Sequence, residues 1–339
     1  MLDDSLTRRA LLASGVAVTL GLTGCAETDP SSTPVNTATG DTATATETAL
    51  TTPQPDTQAS TSTSSLETVV SIPGERVPEN MAFDADGNLY FGITAGEVRR
   101  LSSDRIGETG LTLADTEQLV TMPGAVGVEI GPDGTVYVAA ATQDDNAGVW
   151  AAPTGDEVSQ LVGISGFPND ILFDVGRSRM LVTESSSGVV YAVGTDGLRE
   201  RWLDDDRLMT ESFGANGITR GTDGTIYIAV TQAGETGRLI EVPVQPDGSA
   251  GEASTVSETE AILGADGITI RDGDIYVAAN SQNRVVRVDT GGTTETIATA
   301  DDGLVFPSDV LFDPTSNDLF ICNFANQSPD DGAILRKKI

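Results

Sequence analysis

The chain has 339 residues, with 51 acidic against 19 basic side chains, a formal net charge of −32 and no histidine. A body this acidic offers no basic face on which to release phosphate counterions, which excludes nucleic acid as a partner, and its self-repulsion calls for a strongly screening, high-salt solvent. The absence of histidine removes every Ser-His or Cys-His nucleophile, together with the commonest general base and transition-metal ligand.

Residues 1–25 read as an export signal. Arg8-Arg9 precedes about 13 apolar positions ending at Leu22, a length that suits a signal peptide and is too short to span a bilayer. The paired arginines resemble a twin-arginine signal, and Leu22-Thr23-Gly24-Cys25 resembles a lipobox in which Cys25 takes the lipid. The expectation is a haloarchaeal-type lipoprotein on the outer face of the cytoplasmic membrane, touching that membrane only through the lipidated cysteine. Residues 26–65 are dominated by Thr, Ser, Pro and Ala, with no basic residue between Arg9 and Arg76. Such a segment cannot bury enough apolar surface to offset its ordering entropy, and is expected to be a disordered stalk.

From residue 66 to 339 a sixfold repeat predicts the architecture. Six segments align, beginning at Glu79, Val126, Asn169, Asn216, Asp266 and Ser308, which are 42 to 50 positions apart. A short turn follows each, with Asp-Gly at Asp86-Gly87, Asp133-Gly134, Asp223-Gly224 and Asp272-Gly273. Asp-Gly between two β-rich runs signals a hairpin, and four short strands per period of this size make a propeller blade. Second strands are predicted at Leu89–Ile93, Val136–Ala140, Met180–Thr183, Ile226–Val230, Ile275–Ala279 and Leu319–Cys322. Third strands begin at Glu97, Gly148, Val189, Arg238, Arg284 and Ala333, and fourth strands at Glu117, Val158, Leu198, Ala253 and Thr294. The sixth blade runs out of chain after its third strand, and Leu66–Ile72 supplies the missing one. The fold class is therefore all-β, a six-bladed β-propeller whose N-terminal strand closes the last blade. Cys322 falls in a predicted strand and reads as a small core residue.

Strand order puts the starts of the inner strands on the face that carries the longer loops, around the axial channel. Glu79, Asn169, Asn216 and Asp266 thus bring oxygen atoms towards one axis, a donor set that suits a hard divalent cation, Ca²⁺ above all, with waters completing the shell. The plainer reading is a wet channel mouth whose polar side chains satisfy buried water. The ends of the second strands place Glu184, Asn280 and Asn323 beside this ring as candidate substrate contacts, with strand-end capping as the alternative. No upper-loop arginine is clearly placed to grip an acidic group, Arg207 being the one candidate.

The succession Glu79, Pro168-Asn169-Asp170, Ala215-Asn216-Gly217 and Ala265-Asp266-Gly267, one blade after another, resembles the regucalcin/gluconolactonase family of six-bladed propellers. It departs from that pattern at Asn80-Met81, where the family tends to have Gly-Pro. The resemblance implies that Glu79, Asn216 and Asp266 ligate the cation, that Asn169 is a ligand or substrate contact, and that Asp266 is the general base of a lactonase. The alternative is a non-catalytic propeller of the NHL kind, which shares the Asp-Gly hairpins and binds a ligand or protein at the cell surface. Either way the expected partner is a small molecule or surface ligand, and the protein is expected to be a monomer.

Overall fold

The computed structural model describes residues 66–154 and 157–339. The signal sequence, Cys25 and the stalk lie outside the described residues. The rest is a six-bladed β-propeller: five sheets of four strands and a sixth of five. Blade 1 comprises Pro78–Phe83, Leu89–Ile93, Glu97–Leu101 and Glu117–Thr121, counted outwards from the axis. Blade 2 comprises Ala125–Ile130, Val136–Ala140, Gly148–Ala152 and Ser159–Gly163. Blade 3 comprises Pro168–Asp174, Arg179–Glu184, Val189–Gly194 and Arg199–Asp204, and blade 4 Ala215–Arg220, Ile226–Ala233, Thr236–Val242 and Ser254–Thr259. Blade 5 comprises Ala265–Arg271, Asp274–Ala279, Arg284–Val288 and Thr294–Ala298. Blade 6 comprises Pro307–Phe312, Leu319–Asn323 and Ala333–Lys337, closed by Glu67–Ser71.

The hairpins form where the turn chemistry puts them. In blade 5 both Asp272 and Gly273 take positive φ, 55° and 90°, as a tight two-residue hairpin turn requires. The second strands are buried along nearly their whole length, since each is sandwiched between two neighbouring blades, which explains their uninterrupted apolar runs. The outermost strands are largely exposed. With little apolar pattern to fix them, those of blades 2, 3 and 4 start one residue later than their sequences suggest, at Ser159, Arg199 and Ser254.

There is no single central core. Six apolar clusters fill the six seams, each drawing side chains from two adjacent blades. Leu181 of blade 3 meets Ile218 and Ile226 of blade 4, for example, and Phe91 of blade 1 shares a cluster with Phe320 and Cys322 of blade 6. Each fully buried large side chain contributes roughly 1.5–3 kcal/mol, so the ring is held by its seams.

Ring closure is antiparallel, with Glu67 opposite Arg336 and Ser71 opposite Ala333. One feature was not legible in the repeat. The closing strand would itself leave an open edge, and the long third-to-fourth connection of blade 1 covers it: Leu111–Thr112 runs parallel to Val70–Ser71. Arg336 ties the same connection down by donating to the Ile106 carbonyl at 2.9 Å while pairing with Glu67.

Candidate functional site: the channel mouth

Every inner strand carries a β-bulge at the start of its repeat, where the register to the second strand slips: Pro78/Met81, Ala125/Gly127, Pro168/Ile171, Ala215/Ile218, Ala265/Ile268 and Pro307/Asp309. A bulge re-aims side chains, and here it divides two consecutive positions of each repeat between two jobs.

The second position holds the blades together. Asn80 accepts the Val128 amide at 2.9 Å, Asp170 the Ile218 amide at 2.8 Å and Asp309 the Met81 amide at 2.9 Å, each in the next blade round. Asn80 also donates to Asp170 at 3.1 Å, joining blades 1 and 3. The other blades have Gly127, Gly217 and Gly267 at this position because the neighbour's backbone lies against them. A Cβ on Gly127 would meet the Asn169 carbonyl oxygen at 2.3 Å, and one on Gly217 the Asp266 carbonyl oxygen at 2.3 Å. Asn80, which breaks the family-like pattern, is thus a member of the belt. Below the belt a cavity of about 380 Å³ opens, lined by Glu129, Asp170 and Asp309 among others.

The first position forms the mouth. Burial drives the Glu79 carboxyl well above the usual carboxylate range, and the charges of Asp266, Asp309 and Asp170 add to the effect. Glu79 accepts no hydrogen bond among the described residues, although part of its surface stays open to the channel. Burial also raises Asp266, to about 7, against the opposing hydrogen bonds from Asn280 and Asn216. Asp170 rises to about 6 and Asp309 well above its usual value, both through burial. Four deep carboxyls therefore face one another across the axis with no arginine or lysine among their contacts.

A layer of side chains one residue past the second-strand position paired with each repeat start fixes the mouth. Asn169 Nδ2 donates to Ser185 Oγ at 2.9 Å, Asn216 Nδ2 to Thr231 Oγ1 at 2.9 Å, and Asn280 Nδ2 to Asp266 Oδ2 at 2.8 Å. Ser185 in turn donates to the Ala215 carbonyl at 2.6 Å, beside Asn216. With the Asn169 nitrogen committed to Ser185 and the Asn216 nitrogen to Thr231 and Asp266, both amides keep their carbonyl oxygens for another partner. Ser308 donates to the Glu79 carbonyl at 2.6 Å. Val126 makes blade 2 the one apolar contributor.

Among the described residues no three His, Cys, Asp or Glu side chains are grouped closely enough to hold an ion between them. The donor set is of another kind, two carboxylates with two amide oxygens, and it fits a hard cation that takes oxygen ligands and keeps some water. Burying carboxylates without a counter-charge is costly, and a bound cation would relieve that cost.

Of the nominated contacts, Asn280 lies against Asp266. Glu184 and Asn323 are capping residues of their loops. Glu184 accepts the amides of Phe167 at 2.7 Å, Ser186 at 2.8 Å and Ser187 at 2.9 Å. Asn323 accepts the Val305 amide at 2.8 Å and donates to the Asp331 carbonyl at 2.9 Å. Both precede the supporting register by one residue, because the bulge shifts the pairing. Arg207 folds back on its own loop in a two-point pair with Asp205 at 2.8 and 2.7 Å. Ser185 and Thr231 were missed, and counting one residue past each strand partner finds them. The second-position column, Asn80, Asp170 and Asp309 in three blades and Gly in the other three, was readable in the repeat itself.

A model of the N-terminal part of strictosidine synthase-like proteins matches residues 64–101, the region of the closing strand and the first three strands of blade 1. No curated protein matches the sequence. Among solved structures, a gluconolactonase from Xanthomonas campestris aligns at TM-score 0.61 and 17% identity, over 80% of this chain and 87% of that one. An auxiliary nutrient binding protein from Bacteroides thetaiotaomicron aligns at TM-score 0.62 and 8% identity, over 80% and 76%. A catalytically inactive virginiamycin B lyase from Staphylococcus aureus aligns at TM-score 0.54 and 15% identity, over 77% and 80%. What these proteins share with this chain is the propeller fold.

Proposed function

We propose that the protein is a divalent-cation-dependent hydrolase of small molecules, of the lactonase type, working outside the cell on the anchor formed at Cys25. The observation that carries this reading is the channel mouth, where buried Glu79 and Asp266 face each other without a basic partner and two amides have their nitrogens tied away. Glu79, Asn169, Asn216 and Asp266 would hold the ion, Ca²⁺ being the best match to oxygen donors of this number. Bound there, a cation supplies Lewis-acid polarisation of a carbonyl.

The chain's own residues supply the rest. Asp266, with a carboxyl raised to about 7, can hold or release a proton near neutral pH, as a base acting on water must. Asn280 fixes one of its oxygens, so the other is directed rather than free to rotate. The likeness to a nutrient binding protein favours a second reading, a propeller that holds its ligand without turnover.

Lactone hydrolysis with calcium and with chelator separates the two readings. The hydrolase reading predicts calcium-dependent turnover that falls at least about 100-fold in Asp266→Asn. An Asp266→Asn variant that keeps the wild-type rate, or a calcium-loaded wild type that turns over no lactone, supports the binding propeller instead.

A further inference from the structure

The first position of the ring is polar in every blade but the second, although at the supporting register blade 6 also has an apolar residue, Phe324. Blade 2 contributes Val126 at the first position and Ala141 at the register that Ser185, Thr231 and Asn280 occupy elsewhere. Over the same sector lies a second cavity, of about 500 Å³, on the face that carries the mouth. Ala141 lines it, together with Phe167, Ser186 and Phe213. Phe167 and Phe213 precede Asn169 and Asn216 by two and three positions and Ser186 follows Ser185, which puts the cavity beside the mouth. Phe167 and Phe213 pack edge to face with ring centroids 5.1 Å apart, both only half-buried. Asp144 and Asp145 are the charged groups of the lining, and no basic side chain contributes.

We propose that this cavity is the subsite for the apolar part of an uncharged substrate whose polar end reaches the channel mouth. Two half-buried aromatic rings beside the apolar position of blade 2 gain when a ligand covers their remaining open surface with hydrocarbon. An anionic ligand would meet the carboxylates of Asp144 and Asp145 there and no basic side chain. The inference rests on the hydrolase reading for its kinetic test, and not for its binding test.

The test compares two δ-lactones that share the reacting carbonyl: δ-nonalactone, which carries a butyl chain, and glucono-δ-lactone, which carries hydroxyl groups. In Phe213→Ala, KM for δ-nonalactone should rise about tenfold while that for glucono-δ-lactone stays within about twofold. Phe213→Leu, which keeps an apolar wall, should stay near wild type, and unchanged calcium binding in both variants shows that the ring is intact. Equal effects on the two lactones, or none on either, overturn the subsite. If the wild type cleaves neither, saturation-transfer NMR with the unreactive ether 2-butyltetrahydropyran decides. A signal from the wild type that is lost in Phe213→Ala upholds the subsite although the hydrolase reading falls; no signal from the wild type overturns both.

Discussion

Glu129 shows what a single buried acid costs this protein. Its carboxyl lines the lower cavity, accepts the amides of Ile130 at 2.8 Å and Phe173 at 3.2 Å, and is still raised from 4.5 to about 7 because burial outweighs both bonds. A carboxyl whose folded value lies above its unfolded one favours folding most below the unfolded value and loses that contribution as pH rises through the folded one. Between about pH 5 and about pH 8 the wild type should therefore lose on the order of 2 kcal/mol relative to Glu129→Gln in urea unfolding. Parallel stability profiles for the two proteins would count against this account of Glu129. The same scale marks the limit of reading residues from sequence. Glu79, Asn169, Asn216 and Asp266 could be found because they share one column of the repeat. The supports Ser185 and Thr231 were missed because the bulge displaces them by one residue from the strand partner, an offset that no composition signal records.

At the scale of elements, the hairpins and second strands were readable from Asp-Gly turns and unbroken apolar runs, whereas the outer strands were less sharply defined because solvent faces them. Ion pairs between elements were not readable at all. Asp174, fully buried at the foot of the inner strand of blade 3, takes Arg220 of blade 4 at 3.0 Å, Arg179 at 3.2 Å and Arg177 at 3.5 Å. Arg177 and Arg179 also reach the carbonyls of the third-to-fourth connection of blade 4, at Gln245, Pro246 and Gly248. One carboxylate thus fastens the seam between blades 3 and 4, and removing its charge takes the shared counter-ion from three guanidinium groups, of which Arg179 keeps Glu200 at 3.9 Å. Asp174→Asn should cost about 3–5 kcal/mol in denaturant unfolding, with calcium binding at the proposed channel-mouth site unchanged in the protein that remains folded. A loss below about 1 kcal/mol would show that the arginines find other partners.

At the scale of the molecule, the ring explains how so acidic a chain can bury four carboxyls at its centre. Glu79, Asp170, Asp266 and Asp309 come from blades 1, 3, 5 and 6, so their repulsion pushes blades apart across the axis. Six apolar seams, the belt of inter-blade hydrogen bonds and the doubly covered closing strand oppose it. Closure was legible in the sequence because one blade lacked a strand and the other end of the chain had one to spare. The blade 1 connection that seals the closing edge was not, since Leu111–Thr112 is too short to carry a pattern. We propose that this arrangement persists because a cation occupies the mouth and balances its charge. Calcium titrated calorimetrically into the full chain in high salt tests that most directly. The account predicts one ion per chain, with binding lost in Asp266→Ala; no heat of binding in the wild type, or equal binding in the variant, would contradict it.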